Sequence, residues 1–191
     1  MSIPSTLPER LRAETRAQHD QVETGIGLPR TLTEYRTQLE TFHGFISPLE
    51  QRLVETLGAE SPWLMGRLKT RYLEEDLQSL GYTLAAVAQS PRCTDLPGTS
   101  SEAECLGILY VLEGSTLGGQ MIAQHLAKTL GSNVSCRYFL SYGPDVMKMW
   151  SAFKVRLTER EAPEHHDIVV QSAQNTFSKL HAWCVRSGQR S

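Results

Sequence analysis

Residues 106–130 read LGILYVLEGSTLGGQMIAQHLAKTL, a stretch that begins as an apolar helix and ends as an amphipathic one. Gly114, Gly118 and Gly119 lie between the two halves. Each glycine inside a helix costs about 1 kcal/mol relative to alanine, so the three together cost about 3 kcal/mol, a large part of a domain's net stability. Such a cost is tolerated where the backbone must bend, or where another group must approach it closely.

Two interpretations fit the glycine spacing. A second helix could cross closely over Gly114 and Gly118, which are four residues apart, or a flat ligand could lie against backbone that carries no side chains. A phosphate-binding loop fits less well, because the stretch is not GxGxxG, has no Gly-Lys-Ser/Thr and follows no strand pattern.

The apolar residues on both sides of this stretch also follow helical spacing. Ser101 and Glu104 have the spacing of a capping box before it, Gly131 closes it, and Pro48 should bend or break an upstream helix. No alternating strand pattern is present, so we predict an all-α protein, one domain over residues 1–191, with roughly seven or eight helices. The predicted helices lie at about residues 7–24, 33–56, 62–71, 72–81, 83–88, 101–130, 145–160 and 165–185.

Composition excludes several classes of protein. Hydrophobic residues make up 40% of the chain and the net charge is −2, which suits a globular domain and argues against a nucleic-acid or anionic-membrane binder. The longest apolar run, residues 108–112, is far too short to span a membrane. Since no N-terminal segment resembles a signal peptide either, we expect a cytoplasmic protein. The four cysteines match no zinc pattern and are expected to be reduced thiols in that setting.

Six histidines are the main candidates for chemistry, although a lone histidine on a helix is usually structural. A His-Glu-x-x-His zinc motif and a GxSxG nucleophile elbow are absent, and a di-iron bundle would need a second Glu-x-x-His pair besides Glu40 and His43. One histidine is enough for haem, because the porphyrin supplies the equatorial ligands and the protein adds an axial imidazole. A helix whose glycines present backbone without side chains would then suit the other face of the flat macrocycle.

Two segments resemble the haem oxygenases, especially the compact bacterial members. LRAETRAQHDQVE, residues 11–23, is similar to the family's proximal helix, and YVLEGSTLGGQ, residues 110–120, is similar to its kinked distal helix. The resemblance implies that His19 is the axial iron ligand, and that Gly114, Gly118 and Gly119 lie over the haem face.

The resemblance also implies charged neighbours for haem. Arg12 falls where the family carries a partner for a haem propionate, and Lys148 and Arg156 are looser candidates for the same role or belong to a solvated helix face. Glu23 follows His19 by four residues, so it shares a helix face and either orients the imidazole through a water or is simply exposed.

Ser115 departs from the pattern of many family members, which carry an aspartate directly after the first distal glycine to organise a proton-delivering water network. Serine can donate and accept hydrogen bonds but holds no negative charge at neutral pH. Either a water chain through Ser115 and backbone groups suffices, or the activity is altered.

The family resemblance implies a monooxygenase that converts haem, both substrate and cofactor, to biliverdin, carbon monoxide and ferrous iron. Dioxygen and electrons from a ferredoxin or flavoprotein reductase would be required, and a bilin-accepting protein could be a further partner. Two alternatives stay open: a non-enzymatic haem- or bilin-binding protein of the same fold, favoured if Ser115 cannot support oxygen activation, and a cofactor-free thiaminase-like enzyme.

Overall fold

A computed structural model of the chain describes residues 6–160 and 162–188, and this part of the chain is helical without strands. The all-α prediction is confirmed. The predicted single domain includes residues 1–5, 161 and 189–191, which lie outside the described residues, and it stays a prediction. The helices are α1 Leu7–Glu14, α2 Arg16–Ile26, α3 Leu32–Leu57, α4 Thr70–Ser79, α5 Leu84–Gln89, α6 Glu102–Ser115, α7 Gly119–Leu130, α8 Val146–Arg160 and α9 His166–Gly188.

The first predicted helix is broken into α1 and α2 at Thr15. A capping box of Thr6 and Glu9 begins α1. Thr15 has φ −105° and ψ 0°, displaced from regular α-helical values, while its hydroxyl donates to the carbonyl of Leu11 at 2.7 Å. Counting α1 with α2, and α6 with α7, as the single helices predicted there gives seven helices in the described part of the chain, within the predicted number.

Helix α3 continues through Pro48, where we expected a bend or a break. Proline has no N–H to donate to the carbonyl four residues earlier, which belongs to Gly44. That carbonyl instead accepts a hydrogen bond from the N–H of Cys93 at 2.8 Å. The loop can come this close because Gly44 has no side chain: a Cβ there would lie 2.4 Å from the carbonyl oxygen of Pro91.

The predicted helix over residues 62–71 is wrong, because residues 62–67 form turns and the next helix begins only at Thr70. Gly66 takes the left-handed conformation, with φ +71°, which ends regular helix. The buried carboxylate of Glu50 then accepts hydrogen bonds from the backbone N–H groups of Lys69 at 2.6 Å and Thr70 at 3.0 Å. A side chain from α3 therefore sets the start of α4.

Helix α9 is the centre of the fold, because α6 and α2 both pack against it. The crossing of α6 and α9 is tight at Gly107, where a Cβ would lie 2.4 Å from the carbonyl oxygen of Val169. Helices α2 and α6 thus pack against the same helix, α9. The space between α2 and the C-terminal half of α6 is open to a ligand. None of the described helices combines the length and apolar character that a membrane span requires.

Candidate functional site

A cavity of about 1060 Å³ opens between α2, α9 and the corner where α6 meets α7. Its volume lies at the upper end of the range for small-molecule and cofactor sites, about 300–1000 Å³. Phe42, Phe139, Trp150 and Phe177 contribute to a largely apolar wall, and the polar residues stand at separate points on it. The cavity therefore suits a large, mainly apolar ligand.

His19 projects from α2 into the wall of this cavity, and its side chain is 50% exposed. The imidazole packs edge-on against Phe177, with ring centroids 5.8 Å apart and an interplanar angle of 78°. Its Nε2 lies 3.7 Å from Oε1 of Glu23, and its Nδ1 lies 3.7 Å from Oδ1 of Asp20. Within the described residues neither ring nitrogen is taken by a hydrogen bond, so either can serve as a ligand.

The corner between α6 and α7 presents bare backbone to the cavity. A single turn of 3₁₀ helix, Thr116–Gly118, joins the two α-helices and marks the expected kink. Gly114 and Gly118 both line the cavity, and a Cβ at Gly118 would meet no atom of the described residues within 4 Å. No helix crosses closely over these two glycines in the described part of the chain, where a Cβ at Gly114 would meet only the ring of Trp150, at 3.8 Å.

Gly119 differs from the other two glycines, and the expectation that it faces the ligand is corrected by its position. It is buried, it is not part of the cavity wall, and a Cβ there would lie 1.9 Å from the carbonyl oxygen of Phe139. The missing side chain of Gly119 therefore makes room for the segment that follows α7 rather than for a ligand.

Ser115 lines the cavity, and its hydroxyl donates to the carbonyl of Leu112 at 2.8 Å. Tyr138 lines the same cavity; burial raises the pKa of its hydroxyl, and an interaction with Ser115 partly opposes that shift. The phenol is protonated at neutral pH with or without this shift, so Tyr138 offers a neutral donor beside Ser115. Tyr138 follows α7 by several residues in an irregular segment, and no sequence pattern singled it out.

The three basic residues expected near the ligand lie in different surroundings. Arg12 is exposed and lines the cavity. Arg156 does not line it; its guanidinium donates to the carbonyl of Pro62 and stacks over Trp63 at 5.6 Å. Lys148 is exposed at the start of α8 and also lies away from the cavity wall. The expectation for Lys148 and Arg156 is therefore corrected.

Lys154 and Arg16 line the cavity instead, and the sequence interpretation missed both. The Nζ of Lys154 lies 5.5 Å from the ring centroid of Trp150, one turn earlier on α8. Residues four apart share a helix face, whereas Lys148 stands two residues from Trp150, about 200° around the axis. If the sequence had shown that Trp150 faces the cavity, helical spacing would have selected Lys154 as the cation on the same face.

A buried charged cluster adjoins the cavity where Lys69 reaches its wall. Lys69 and Glu113 are 4% and 1% exposed. The Nζ of Lys69 donates to the hydroxyl of Tyr142 at 2.6 Å and lies 3.4 Å from Glu113 Oε1, while Arg67 pairs with the other carboxylate oxygen of Glu113. Burial lowers the pKa of Lys69, and Glu113 and Glu50 oppose that shift.

Comparison with known proteins gives a consistent picture. The family model described as "Heme oxygenase" matches residues 5–186. A protein named heme oxygenase from Xanthomonas campestris pv. campestris (strain 8004) is 31% identical over 148 residues, covering 77% of this chain and 83% of that protein.

Two solved structures share the fold. One is heme oxygenase 2 from Chlamydomonas reinhardtii without heme, with a TM-score of 0.72 and 20% identity over 94% of this chain and 96% of that one. The other is the NO- and CO-bound heme oxygenase from Neisseria meningitidis, with a TM-score of 0.72 and 22% identity over 96% and 92% of the two chains. At these identities the likeness establishes the arrangement of helices.

Proposed function

The chain belongs to the haem oxygenase family, an oxidoreductase family that binds and degrades haem, and we propose that His19 is the axial ligand of the haem iron in this protein. The observation that supports this most directly is the position of its imidazole. It stands half exposed on the wall of a cavity that is also lined by the bare backbone of Gly114 and Gly118. A flat ligand can then be held by the imidazole on one face and approach the backbone with the other.

The residues of the cavity fit haem. The volume of about 1060 Å³ is large enough for a cofactor, and a Cβ-free surface at Gly118 leaves space for the ring. Arg12, Arg16 and Lys154 line the cavity as exposed or half-buried cations, which suits a ligand that carries two carboxylates on one edge.

Bound haem would supply an iron that accepts electrons and dioxygen, and a porphyrin ring that is oxidised and opened to biliverdin, carbon monoxide and ferrous iron. The chain's own residues would orient and protect that chemistry. Glu23, 3.7 Å from the imidazole, would hold the ring of His19 in place through a water, and the aromatic wall would exclude bulk water.

Proton delivery is the role we propose for Ser115. Its hydroxyl is anchored to the carbonyl of Leu112, so the oxygen keeps lone pairs for a water in the cavity. Tyr138, which lines the same cavity, would donate a second hydrogen bond from its neutral phenol. Together they would position water where many family members use an aspartate.

The electrons would come from a separate ferredoxin or flavoprotein reductase, and biliverdin would pass to a bilin-accepting protein or be discarded after iron acquisition. A cytoplasmic setting agrees with the four free cysteines, Cys93, Cys105, Cys136 and Cys184.

His19→Ala tests the assignment of the iron ligand. The haem-loaded variant should lose the axial ligation of the parent, which would shift the Soret band and leave little ring opening, and added imidazole should partly restore both. His166→Ala is the control, because His166 lies at the start of α9 and does not line the cavity. A His19→Ala protein with the parent's spectrum and turnover would overturn the assignment.

A further inference from the structure

Three metal-binding side chains lie together on the exposed face of α2. His19, Asp20 and Glu23 each offer one ligand atom, and these three atoms lie within 4.8 Å of one another. The carboxylate of Glu23 is 3.7 Å from Nε2 of His19, and that of Asp20 is 3.7 Å from Nδ1. The side chains of Asp20 and Glu23 are 63% and 68% exposed, so an ion from solution can reach them.

The spacing of these atoms is close to that of a coordination sphere. Ligands about 2.1 Å from an ion lie roughly 3.0 Å apart in octahedral and 3.4 Å apart in tetrahedral geometry. The 3.7 Å between Nε2 of His19 and Glu23 is close to these values, whereas Asp20 lies nearest to the other ring nitrogen and its side chain must rotate to reach the same ion. Because Glu23 is four residues after His19, both side chains leave the same face of a helix that is anchored by buried Val22.

The donor set selects a class of ion. Imidazole nitrogen with carboxylate oxygen suits first-row divalent ions such as iron and zinc better than calcium or magnesium, which prefer oxygen alone. In the described part of the chain no arginine or lysine nitrogen lies within 4.0 Å of the carboxylates of Asp20 and Glu23, so their charge is not already neutralised. Three protein ligands leave the remaining positions to water, which makes the ion exchangeable.

We propose that His19, Asp20 and Glu23 bind a first-row divalent metal ion in the haem-free protein, and that the ferrous iron released by the reaction is its natural occupant. The second half of this proposal rests on His19 being the haem ligand, because the iron would then be released beside these carboxylates. An imidazole that ligates haem iron through one nitrogen cannot hold this ion through the same atom. In this proposal the ion takes the same imidazole nitrogen that would ligate haem iron, so haem and the free ion exclude each other.

Titration of the haem-free protein with Co²⁺, followed by its visible absorption, measures the site directly. The parent should bind one ion that Zn²⁺ displaces, and Asp20→Asn should weaken binding about tenfold or more, since it removes one of three ligands. Glu60→Gln removes an equally exposed carboxylate outside the site and should change nothing. Equal affinity in the parent and in Asp20→Asn would overturn the proposal.

Competition with haem gives a second measurement. Zn²⁺ at ten times its dissociation constant leaves about one site in eleven free, so the apparent dissociation constant for haem should rise about elevenfold. Asp20→Asn should lose this zinc effect, so that its own dissociation constant for haem is the same with and without Zn²⁺. Simultaneous binding of haem and Zn²⁺ at the cluster would contradict the shared imidazole.

Iron release tests the natural occupant. After a single turnover, a ferrous chelator should capture iron about tenfold faster from Asp20→Asn than from the parent, because weaker binding appears mostly as faster dissociation. Equal rates of iron capture from the parent and from Asp20→Asn would show that ferrous iron does not occupy this site.

His19→Ala separates this proposal from the proposed function. Loss of Co²⁺ binding with haem ligation intact would overturn the haem assignment and support the metal site. If His19→Ala loses haem ligation and the parent binds no Co²⁺, the haem assignment is supported and the metal site is overturned.

Discussion

At the scale of single residues, the charges around the cavity differ in what they can reach. Arg12 and Lys154 line the cavity, whereas Lys148, on the same helix as Lys154, does not. We expect Lys154→Glu to weaken haem binding about tenfold, because an attraction of up to about 1 kcal/mol becomes a repulsion. Haem titration measures the change. Lys148→Glu makes the same change of charge and should stay within about twofold of the parent; equal effects of the two would show that only the net charge matters.

Arg12 is expected to fix the orientation of haem in its own plane. Arg12→Glu should weaken haem binding and change the biliverdin isomer that is formed, because the propionate edge loses its partner at this corner of the cavity. Analysis of the product isomers measures it. An unchanged isomer together with unchanged affinity would exclude this role.

His43 should make the free energy of unfolding depend on pH. It is fully buried on α3, its Nδ1 has no partner within the described residues, and burial followed by the charge of Arg92 lowers its pKa, against an opposing effect of Glu74. The unfolded chain takes up a proton below pH about 6.5 while the folded protein does not. Stability should therefore fall as the pH drops below that value, by up to about 1.4 kcal/mol per pH unit.

Urea unfolding at pH 7.5 and 5.5 measures this dependence for His43. His43→Gln should be less stable than the parent at both values but should lose part of the pH dependence. His166→Ala is the control and should keep the full slope, since that residue lies at a helix start outside the core. An unchanged slope in His43→Gln would assign the pH dependence to other groups.

Residue types and spacing predicted only those site residues that a short motif carries. His19 and Gly118 lie in the two segments that resemble the haem oxygenases, and both line the cavity. Gly119 belongs to the same motif, but the loop that packs against it approaches from a distant part of the chain. Lys69 reaches the cavity only because Glu50 fixes the start of α4, which no local pattern records.

At the scale of secondary-structure elements, the corner between α6 and α7 depends on two glycines for different reasons. Gly118→Ala adds a methyl group to open space at helical φ and ψ, so we expect an unchanged or slightly raised stability, by up to about 1 kcal/mol, with altered haem affinity. Gly119→Ala adds it 1.9 Å from the carbonyl oxygen of Phe139 and should destabilise the fold by about 1–3 kcal/mol.

Thermal unfolding and haem titration of both variants test the corner. The two substitutions are matched, because they add the same atom one residue apart. A Gly119→Ala protein as stable as the parent would mean that the segment at Phe139 moves freely, and a Gly118→Ala protein with the parent's haem spectrum would remove the close approach of haem to this backbone.

Element boundaries were predictable where local chemistry sets them, and not elsewhere. Ser101 caps α6 as its sequence indicates, with its hydroxyl accepting from the N–H of Glu104 at 3.2 Å. Pro48 does not break α3, because the loop at Cys93 supplies the hydrogen bond that proline cannot make. That partner is 45 residues away in the chain, so the sequence around Pro48 carries no sign of it.

At the scale of the whole molecule, one buried cluster connects three separate parts of the chain. Arg67 and Lys69 precede α4, Glu113 lies near the end of α6, and Tyr142 precedes α8. Glu113 accepts hydrogen bonds from Arg67 and, at 2.6 Å, from Tyr142. Since Gly114 follows Glu113 directly, the same contacts hold the first half of the α6–α7 corner against α8.

Removing the central anion of this cluster should destabilise the entire fold. Glu113→Ala leaves Lys69 and Arg67 buried without their partner, and breaking such a buried pair costs about 3–5 kcal/mol, a large share of a typical domain stability of about 5–15 kcal/mol. Urea unfolding measures the loss, and Glu60→Ala, an exposed glutamate, should remain within about 0.5 kcal/mol of the parent. A loss below about 1 kcal/mol for Glu113→Ala would mean that water reaches Lys69 through the cavity and solvates its charge.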